Sequence, residues 1–297
     1  MAFDNVRGIL GVGSLATSYK MLLMQGAASR PALRTVFLAM LQSFVKQGHI
    51  VLRYRFYNRS MVSYVRVSDL DSDYYSAREL CVDDVYPLDY GFRPDLVIDG
   101  GGNIGMFTLR VLAGLEAHGN ASTRVVVCEP VPQNVEQIRL HLALNGMRAE
   151  ILSVCLGGAA REIPFYCREA NQGSFDPAKP YSSVIEIPVI TLHDAIGPTA
   201  AERILIKLDI EGMEVEALSA FIPSERRAVY LVGELHHVAR NAPLMEELFR
   251  AYGWTLELIG IANDLCSFRG CSPAALPLLP SIAASRAKRL TEEGIRA

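Results

Sequence analysis

Two acid-bearing stretches carry residue types and spacings that could do chemistry. The first is Asp99-Gly100-Gly101-Gly102-Asn103-Ile104-Gly105. Glycines let backbone approach a ligand closely and take positive φ angles. The N–H groups of a helix that starts there can hold a carboxylate or phosphate. Gly100, Gly102 and Gly105 fit the G-x-G-x-x-G spacing of dinucleotide sites, a weak signal alone. Asp99 shifts the balance, because a carboxylate at the strand end would repel a diphosphate. It would favour the ammonium group of an amino-acid moiety, such as the one S-adenosylmethionine carries beside its sulfonium. Glu129, some two dozen residues beyond Gly105, ends the next strand, where an acid can accept both ribose hydroxyls of either nucleotide class. The bland alternative is that Glu129 caps the following helix.

The second stretch is Lys207-Leu208-Asp209-Ile210-Glu211-Gly212-Met213-Glu214, followed by the strand end Glu234-Leu235-His236-His237. Asp209, Glu211, Glu234 and His236 would share the ligand-binding edge of a wound sheet. Carboxylates buried there need cations or donors, which argues against accidental placement. Helix capping by Asp209 or Glu211 is the competing reading. His236 and His237 are adjacent, so on a strand they face opposite sides and form no H-E-x-x-H pair.

The elements that must position these residues follow from periodicity. Apolar runs at 96–98, 124–128, 149–154, 162–167, 204–208, 229–235 and 254–259 predict strands. Helical segments are expected at 104–117, 133–145, 213–220 and 243–251. This alternation predicts a doubly wound, mostly parallel α/β sheet. Ahead of it, residues 50–56 and 61–67 alternate with a period of two and predict a hairpin. Leu33, Val36, Phe37, Met40, Leu41, Phe44 and Val45 form one stripe of an amphipathic helix over 31–47. That stripe suits packing on its own domain, with a dimer contact or a membrane-surface helix as alternatives. The acidic segment Asp69-Leu70-Asp71-Ser72-Asp73 lacks the glycine and distal glutamate of a calcium loop and reads as a solvated turn. Residues 272–297 read as a peripheral helix or loose tail.

With these residues in place, the chain resembles the FkbM-family methyltransferases over about residues 65–260. The resemblance rests on Asp99-x-Gly101-x-Asn103-x-Gly105, on Glu129-Pro130 with the later Leu144-Asn145-Gly146, on Lys207-x-Asp209-x-Glu211-Gly212-x-Glu214, and on Glu234-Leu235-His236. It implies a Rossmann-like class I methyltransferase domain at 66–262, between an N-terminal helical and hairpin extension at 1–65 and a C-terminal peripheral segment at 263–297. It implies S-adenosylmethionine as cofactor, held by Asp99, Gly101, Asn103, Gly105 and Glu129. Tyr86, in the short segment before the first core strand, would line the cofactor pocket or serve packing. The implied reaction is transfer of a methyl group to a hydroxyl on a sugar, natural product or other small-molecule or glycan acceptor. An alcohol acceptor gains from a nearby base. His236 is the candidate, with Asp209 and Glu211 shaping the acceptor and sulfonium region and Glu234 beside them. No resident metal is expected, although Asp209, Glu211, Glu234 and His236 could form an oxygen-rich magnesium site. Two departures stand out: Cys155-Leu156-Gly157-Gly158 replaces the polar third-strand end, and His193 replaces an acid in Leu192-His193-Asp194.

Composition narrows the alternatives. The chain has 297 residues, half of them hydrophobic, and a formal net charge of −3. Wholesale disorder is excluded, and a broad phosphate-binding surface is disfavoured, so no nucleic-acid partner is expected. No run is long and apolar enough for a membrane span. Six cysteines without a CxxC pair and without a secretory signal point to free thiols in a reducing, cytoplasmic setting, with Cys128 and Cys155 buried. The remaining alternatives are an NAD(P)-dependent oxidoreductase, weakened by the lack of any Tyr-x-x-x-Lys, and a non-catalytic nucleotide-binding module. A homodimer is possible.

Overall fold

In the computed structural model the apolar runs assemble into one seven-stranded sheet. The structure describes residues 5–8, 49–67, 69–83, 85–86, 88–167, 173–174, 181, 183–262 and 264–284. The predicted amphipathic helix at 31–47 lies outside the described residues. Strand β1 (Asn5–Gly8) pairs with the hairpin β2 (His49–Phe56) and β3 (Arg59–Arg66), which leads into helix α1 (Leu70–Arg78). Then come β4 (Leu96–Gly100), α2 (Met106–Ala117), β5 (Arg124–Cys128), α3 (Pro132–Leu144) and β6 (Glu150–Leu152). A side sheet follows from β7 (Cys155–Leu156), β8 (Arg161–Cys167), β9 (Gly173–Ser174) and β10 (Ser183–Ile190). The chain then forms α4 (Leu192–Ile196), β11 (Arg203–Leu208), α5 (Glu214–Phe221), β12 (Ala228–His236), α6 (Val238–Ala251), β13 (Thr255–Ala262) and β14 (Leu265–Cys271).

The main sheet runs β13-β14-β12-β11-β4-β5-β6, and only β14 runs against its neighbours. The doubly wound, mostly parallel expectation therefore holds. Its strands read as nearly continuous apolar runs because both faces are covered. Val97, Val127, Leu205 and Val232 face a core shared with the hairpin and α2, whereas Ile98, Val126, Ile206 and Leu231 face the core under α5 and α6. Strand order reverses between β4 and β11, where a wound sheet opens a crevice at its carboxyl edge.

Two expectations are corrected. The acidic segment is no solvated turn: Asp69 and Asp73 are buried, and α1 begins at Leu70. Arg66, at the end of β3, meets Asp73 through Nε at 2.9 Å and Nη2 at 2.6 Å. A buried carboxylate tolerates that position because a fork of donors reaches it. The segment after 263 is not peripheral where it is described, since β14 lies inside the sheet and Ala275, Leu279 and Ile282 pack into the core. Among the described residues no helix is long and apolar enough to cross a membrane. All six cysteines are free thiols, with Cys128 and Cys155 buried as expected.

Candidate active site

The glycine turn takes its shape from β4 and β5. The N–H groups of Gly101 and Gly102 both reach the Cys128 carbonyl, at 2.9 and 3.1 Å. Gly101 has φ +78°, and a β-carbon there would sit 1.8 Å from the Asp209 carbonyl oxygen. Only glycine fits such an approach. The turn closes with Gly105, φ +83°, at the start of α2. Asn103 also has positive φ, at +46°, a conformation asparagine tolerates better than most residues.

Glu129 sits against this turn. Its Oε2 accepts the Asn103 N–H at 2.7 Å, and its Oε1 accepts the Val131 N–H at 3.0 Å and Asn134 Nδ2 at 3.3 Å. Burial pushes its carboxyl up to about 7, against the lowering effect of those donors. Glu129, at the end of β5, therefore ties the glycine turn to the start of α3, the capping role that was the alternative reading.

Asp99 is fully buried. Its Oδ2 accepts the Thr108 hydroxyl at 2.5 Å, while its Oδ1 makes no hydrogen bond and lies 3.5 Å from Lys207 Nζ. Burial raises its pKa, and Lys207 and Thr108 oppose that rise. Lys207, pointing from β11, is the cation at the centre. Its Nζ donates to the Gly101 carbonyl at 2.6 Å, lies 3.7 Å from Asp209 Oδ2, and stands 5.5 Å from the Tyr86 ring centroid. Burial disfavours its charge, but Asp99 and Asp209 overcome that and raise its pKa. Tyr86 is buried, packs edge-on to Phe107, and donates its hydroxyl to Asp209 Oδ2 at 3.0 Å.

The second constellation is contiguous with the first. Asp209 N–H donates to the Gly100 carbonyl at 3.1 Å, which ties the end of β11 to the glycine turn. Beyond it, Glu211 (φ +57°) and Gly212 (φ +102°) turn the chain into α5. At the first residue of α5, Glu214 is fully buried. Its Oε1 accepts the N–H groups of Ile210 and Gly212, each at 3.1 Å, and faces His236 Nδ1 at 3.0 Å. This leaves His236 Nε2 directed toward Asp209 at 3.9 Å and Glu211 at 4.0 Å. Burial would lower the imidazole pKa, but the hydrogen bond and charge of Glu214, with Asp209 and Glu211, lift it to about 9. Burial and the charges of Asp209 and Glu79 raise Glu234 to about 7. Donor atoms of Asp209, Glu234 and His236 lie within 4.8 Å of one another, so these three side chains converge. His237 lies apart, exposed, with Nδ1 3.3 Å from Asp264.

The structure thus brings together Tyr86, Asp99, Gly101, Asn103, Gly105 and Glu129 on one side and Asp209, Glu211, Glu234 and His236 on the other. Sequence reasoning gave no role to Lys207 or Glu214, though both stand in the motif around Asp209. A lysine inside an apolar strand, Ile204-Leu205-Ile206-Lys207-Leu208, was the available signal for the first. Of the two departures, Gly158 donates its N–H to Glu216 Oε1 at 2.9 Å, and His193 bonds Ser224 at 2.9 Å and packs on Phe221.

Residues 99–254, more than half of the chain, match the model of the methyltransferase FkbM domain. The chain belongs to that family. The matched segment is a methyltransferase domain, of a kind whose cofactor is S-adenosylmethionine. A search of the curated proteins finds no match. Among solved structures it is similar to methyltransferase FkbM from Methylobacillus flagellatus KT, at 16% identity over 69% of this chain and 54% of that one, with a TM-score of 0.40. The similarity thus spans about half of the Methylobacillus protein. P. horikoshii TYW2, solved with MeSAdo, is 12% identical over 82% of this chain and 84% of that one, with a TM-score of 0.37. The T. thermophilus 16S rRNA N2 G1207 methyltransferase, solved with AdoMet and guanosine, is 13% identical over 75% and 50%, with a TM-score of 0.39.

Proposed function

We propose that this FkbM-domain protein methylates a hydroxyl oxygen of a sugar, natural product or other small-molecule or glycan acceptor. The observation that carries the reading is a juxtaposition. The glycine turn and the acid edge touch at Gly101 and Asp209, and Lys207 bridges them.

The residues fit the cofactor. At Gly101 a β-carbon would collide with the Asp209 carbonyl, so glycine is what lets the turn seat against the end of β11. Asp99 Oδ1 makes no hydrogen bond within the chain and already faces the Lys207 ammonium at 3.5 Å, so a ligand ammonium would share that carboxylate with Lys207. Glu129 suits the ribose, and Asn103, Gly105 and Tyr86 complete the wall. When bound, S-adenosylmethionine supplies an electrophilic methyl group. The chain's own part is alignment and proton handling, because correct alignment removes much of the entropic barrier.

His236 is the base in this reading. Glu214 fixes its ring through Nδ1, so Nε2 is the atom that takes the acceptor's proton. Asp209 and Glu211 flank that nitrogen and hold the region negative. A pKa of about 9 means that the imidazole is protonated at neutral pH, so the base form grows as pH rises toward 9. A cation arriving beside the cluster disfavours the imidazolium and brings that window down. Glu234, at about 7, is the group whose participation a limb near neutrality would reveal. Lys207 already places a positive charge among the carboxylates, so we propose that no metal is required. The near-neutral surface favours a small or glycan acceptor over a nucleic acid, and free thiols suit a reducing, cytoplasmic setting. A homodimer is compatible with the apolar stripe at 33–45.

Calorimetry with S-adenosylhomocysteine tests the cofactor half of the reading. Binding that Glu129→Gln weakens about tenfold, with no uptake of NAD, is the expected result. Absence of S-adenosylhomocysteine binding to the intact protein would end it. Transfer of labelled methyl from S-adenosylmethionine to a panel of hydroxyl-bearing sugars and natural products then finds the acceptor. His236→Ala should lower turnover 10²- to 10⁴-fold, roughly the contribution of a general base, with native S-adenosylhomocysteine affinity. Unchanged turnover would remove His236 from the mechanism.

A further inference from the structure

The N-terminal hairpin and α1 reach into the cofactor-binding wall at three points. Ser76 Oγ accepts from Asn103 Nδ2 at 2.8 Å. His141 receives the Tyr64 N–H at 2.9 Å and meets the Ile104 carbonyl at 2.7 Å, which ties β3 to the glycine turn. The third point is a relay. Arg66 is clamped by both oxygens of Asp73 and donates through Nη2 to Asn134 Oδ1 at 3.0 Å. On its other side Asn134 donates through Nδ2 to Glu129 Oε1 at 3.3 Å.

The direction of that amide matters. An asparagine side chain has one accepting and one donating end. With Arg66 in front of it, only the oxygen can face the guanidinium, so the NH2 group must face Glu129. Without Arg66 the amide can turn and present its oxygen to the carboxylate, which repels it. Buried Arg66, Asp73 and Asn134 are all committed to this chain of bonds. An ion pair that only held the hairpin to α1 would have no need of Asn134.

We infer that Arg66, an N-terminal residue outside the family-matched segment, is a positioning residue that sets Glu129 for the ribose hydroxyls of the cofactor by fixing the Asn134 amide. The inference rests on the reading of Glu129 as the ribose-binding acid. It predicts that Arg66 is felt through the ribose hydroxyls and nowhere else on the ligand. Arg66→Lys keeps the charge beside Asp73 but loses the fork.

The test compares S-adenosylhomocysteine with its 2′,3′-dideoxyribose analogue by calorimetry on the full chain. Arg66→Lys should weaken S-adenosylhomocysteine about tenfold, the worth of one well-placed hydrogen bond to a charged group. The dideoxy analogue should change less than about twofold, since it lacks the hydroxyls. Asn134→Ala, which leaves the Arg66–Asp73 pair intact, should give the same selective loss and decides the matter if Arg66→Lys fails to fold. Equal losses for both ligands, or none for either, would overturn the inference while leaving methyl transfer standing. Failure of the unmodified protein to bind S-adenosylhomocysteine would instead overturn the ribose reading itself.

Discussion

The two halves of the site are built on different physics. On the glycine-turn side, proposed for the cofactor, Glu129 accepts from two backbone N–H groups and one amide, and Gly101, Gly102 and Gly105 are held by backbone bonds. On the acid edge, proposed for the acceptor, His236 Nε2 faces Asp209 and Glu211 across 3.9 and 4.0 Å, beyond hydrogen-bond reach. The first half is fixed by geometry that costs no reorganisation when a ligand arrives. In the second, hydrogen bonds fix the outer ends, Glu214 on His236 Nδ1 and Tyr86 on Asp209. The facing atoms of His236, Asp209 and Glu211 interact through charge, so their protonation state is the variable that a ligand or a change of pH resets. Substitutions on the cofactor side should therefore act through shape, and those on the acceptor side through titration.

The largest effect is expected where shape has no slack. Gly101→Ala would place a β-carbon 1.8 Å from the Asp209 carbonyl oxygen at φ +78°. Backbone cannot yield there without parting β4 from β11. Soluble Gly101→Ala protein should lose S-adenosylhomocysteine affinity by at least about 100-fold, equivalent to some 3 kcal/mol, or should not fold. Gly119→Ala, at a similar φ of +72° but with open space around its would-be β-carbon, is the control: it carries the backbone strain without the collision and should bind normally. Near-native affinity in Gly101→Ala would show that the two constellations are not rigidly joined.

A middle-sized effect belongs to the link between the hairpin and the cofactor side. His141 is fully buried and neutral, and burial pushes its pKa down to about 4 from the ordinary 6.5. A depressed histidine contributes nothing to pH dependence above 6.5, where both folded and unfolded forms are neutral. As pH falls below 6.5 the unfolded chain binds a proton that the folded one refuses, and stability drops until about pH 4. The expected loss is about 3 kcal/mol over that window. Urea unfolding at pH 7 and at pH 4.5 measures it, and His141→Gln should flatten the difference. An unchanged slope in that variant would assign the acid sensitivity to other groups.

Legibility in the sequence follows the same division. The parallel strands were visible because both faces are buried, which leaves apolar runs such as Arg124–Cys128 unbroken. The glycine turn and Glu129 were visible because they are local: strand, turn and helix are consecutive. The strand Ser183–Ile190 was not, since Pro188 interrupts a run that pairs on both sides. Nor was Leu265–Cys271, which lacks β-branched residues and carries Arg269 and Gly270 in a central position. The buried Asp69 and Asp73 read as a solvated turn although Arg66 stands only three and seven residues before them, because the corner between β3 and α1 that folds the guanidinium onto them is set by tertiary packing and has no local pattern. Glu214 escaped for the same reason: its role depends on His236, which reaches it from the next strand.

The smallest effect is also the sharpest test of the acceptor side. Glu214→Gln keeps an oxygen for the Ile210 and Gly212 N–H groups and for His236 Nδ1, removes the charge, and puts an NH2 group where the buried Oε2 has no hydrogen bond. The elevated pKa of His236 rests on that charge together with Asp209 and Glu211. Its loss should move the imidazole from about 9 down by roughly one unit, or about 1.4 kcal/mol. NMR titration of the His236 ring protons reads this directly, without an acceptor. Once an acceptor is found, the rising limb of kcat/KM should shift to lower pH by the same amount, because the base form appears earlier. A limb that stays near 7 in both proteins would assign the proton to Glu234 instead. A His236 titration that Glu214→Gln leaves unmoved would mean that Asp209 and Glu211 hold the imidazolium, and that the buried acid serves only to turn the chain into α5.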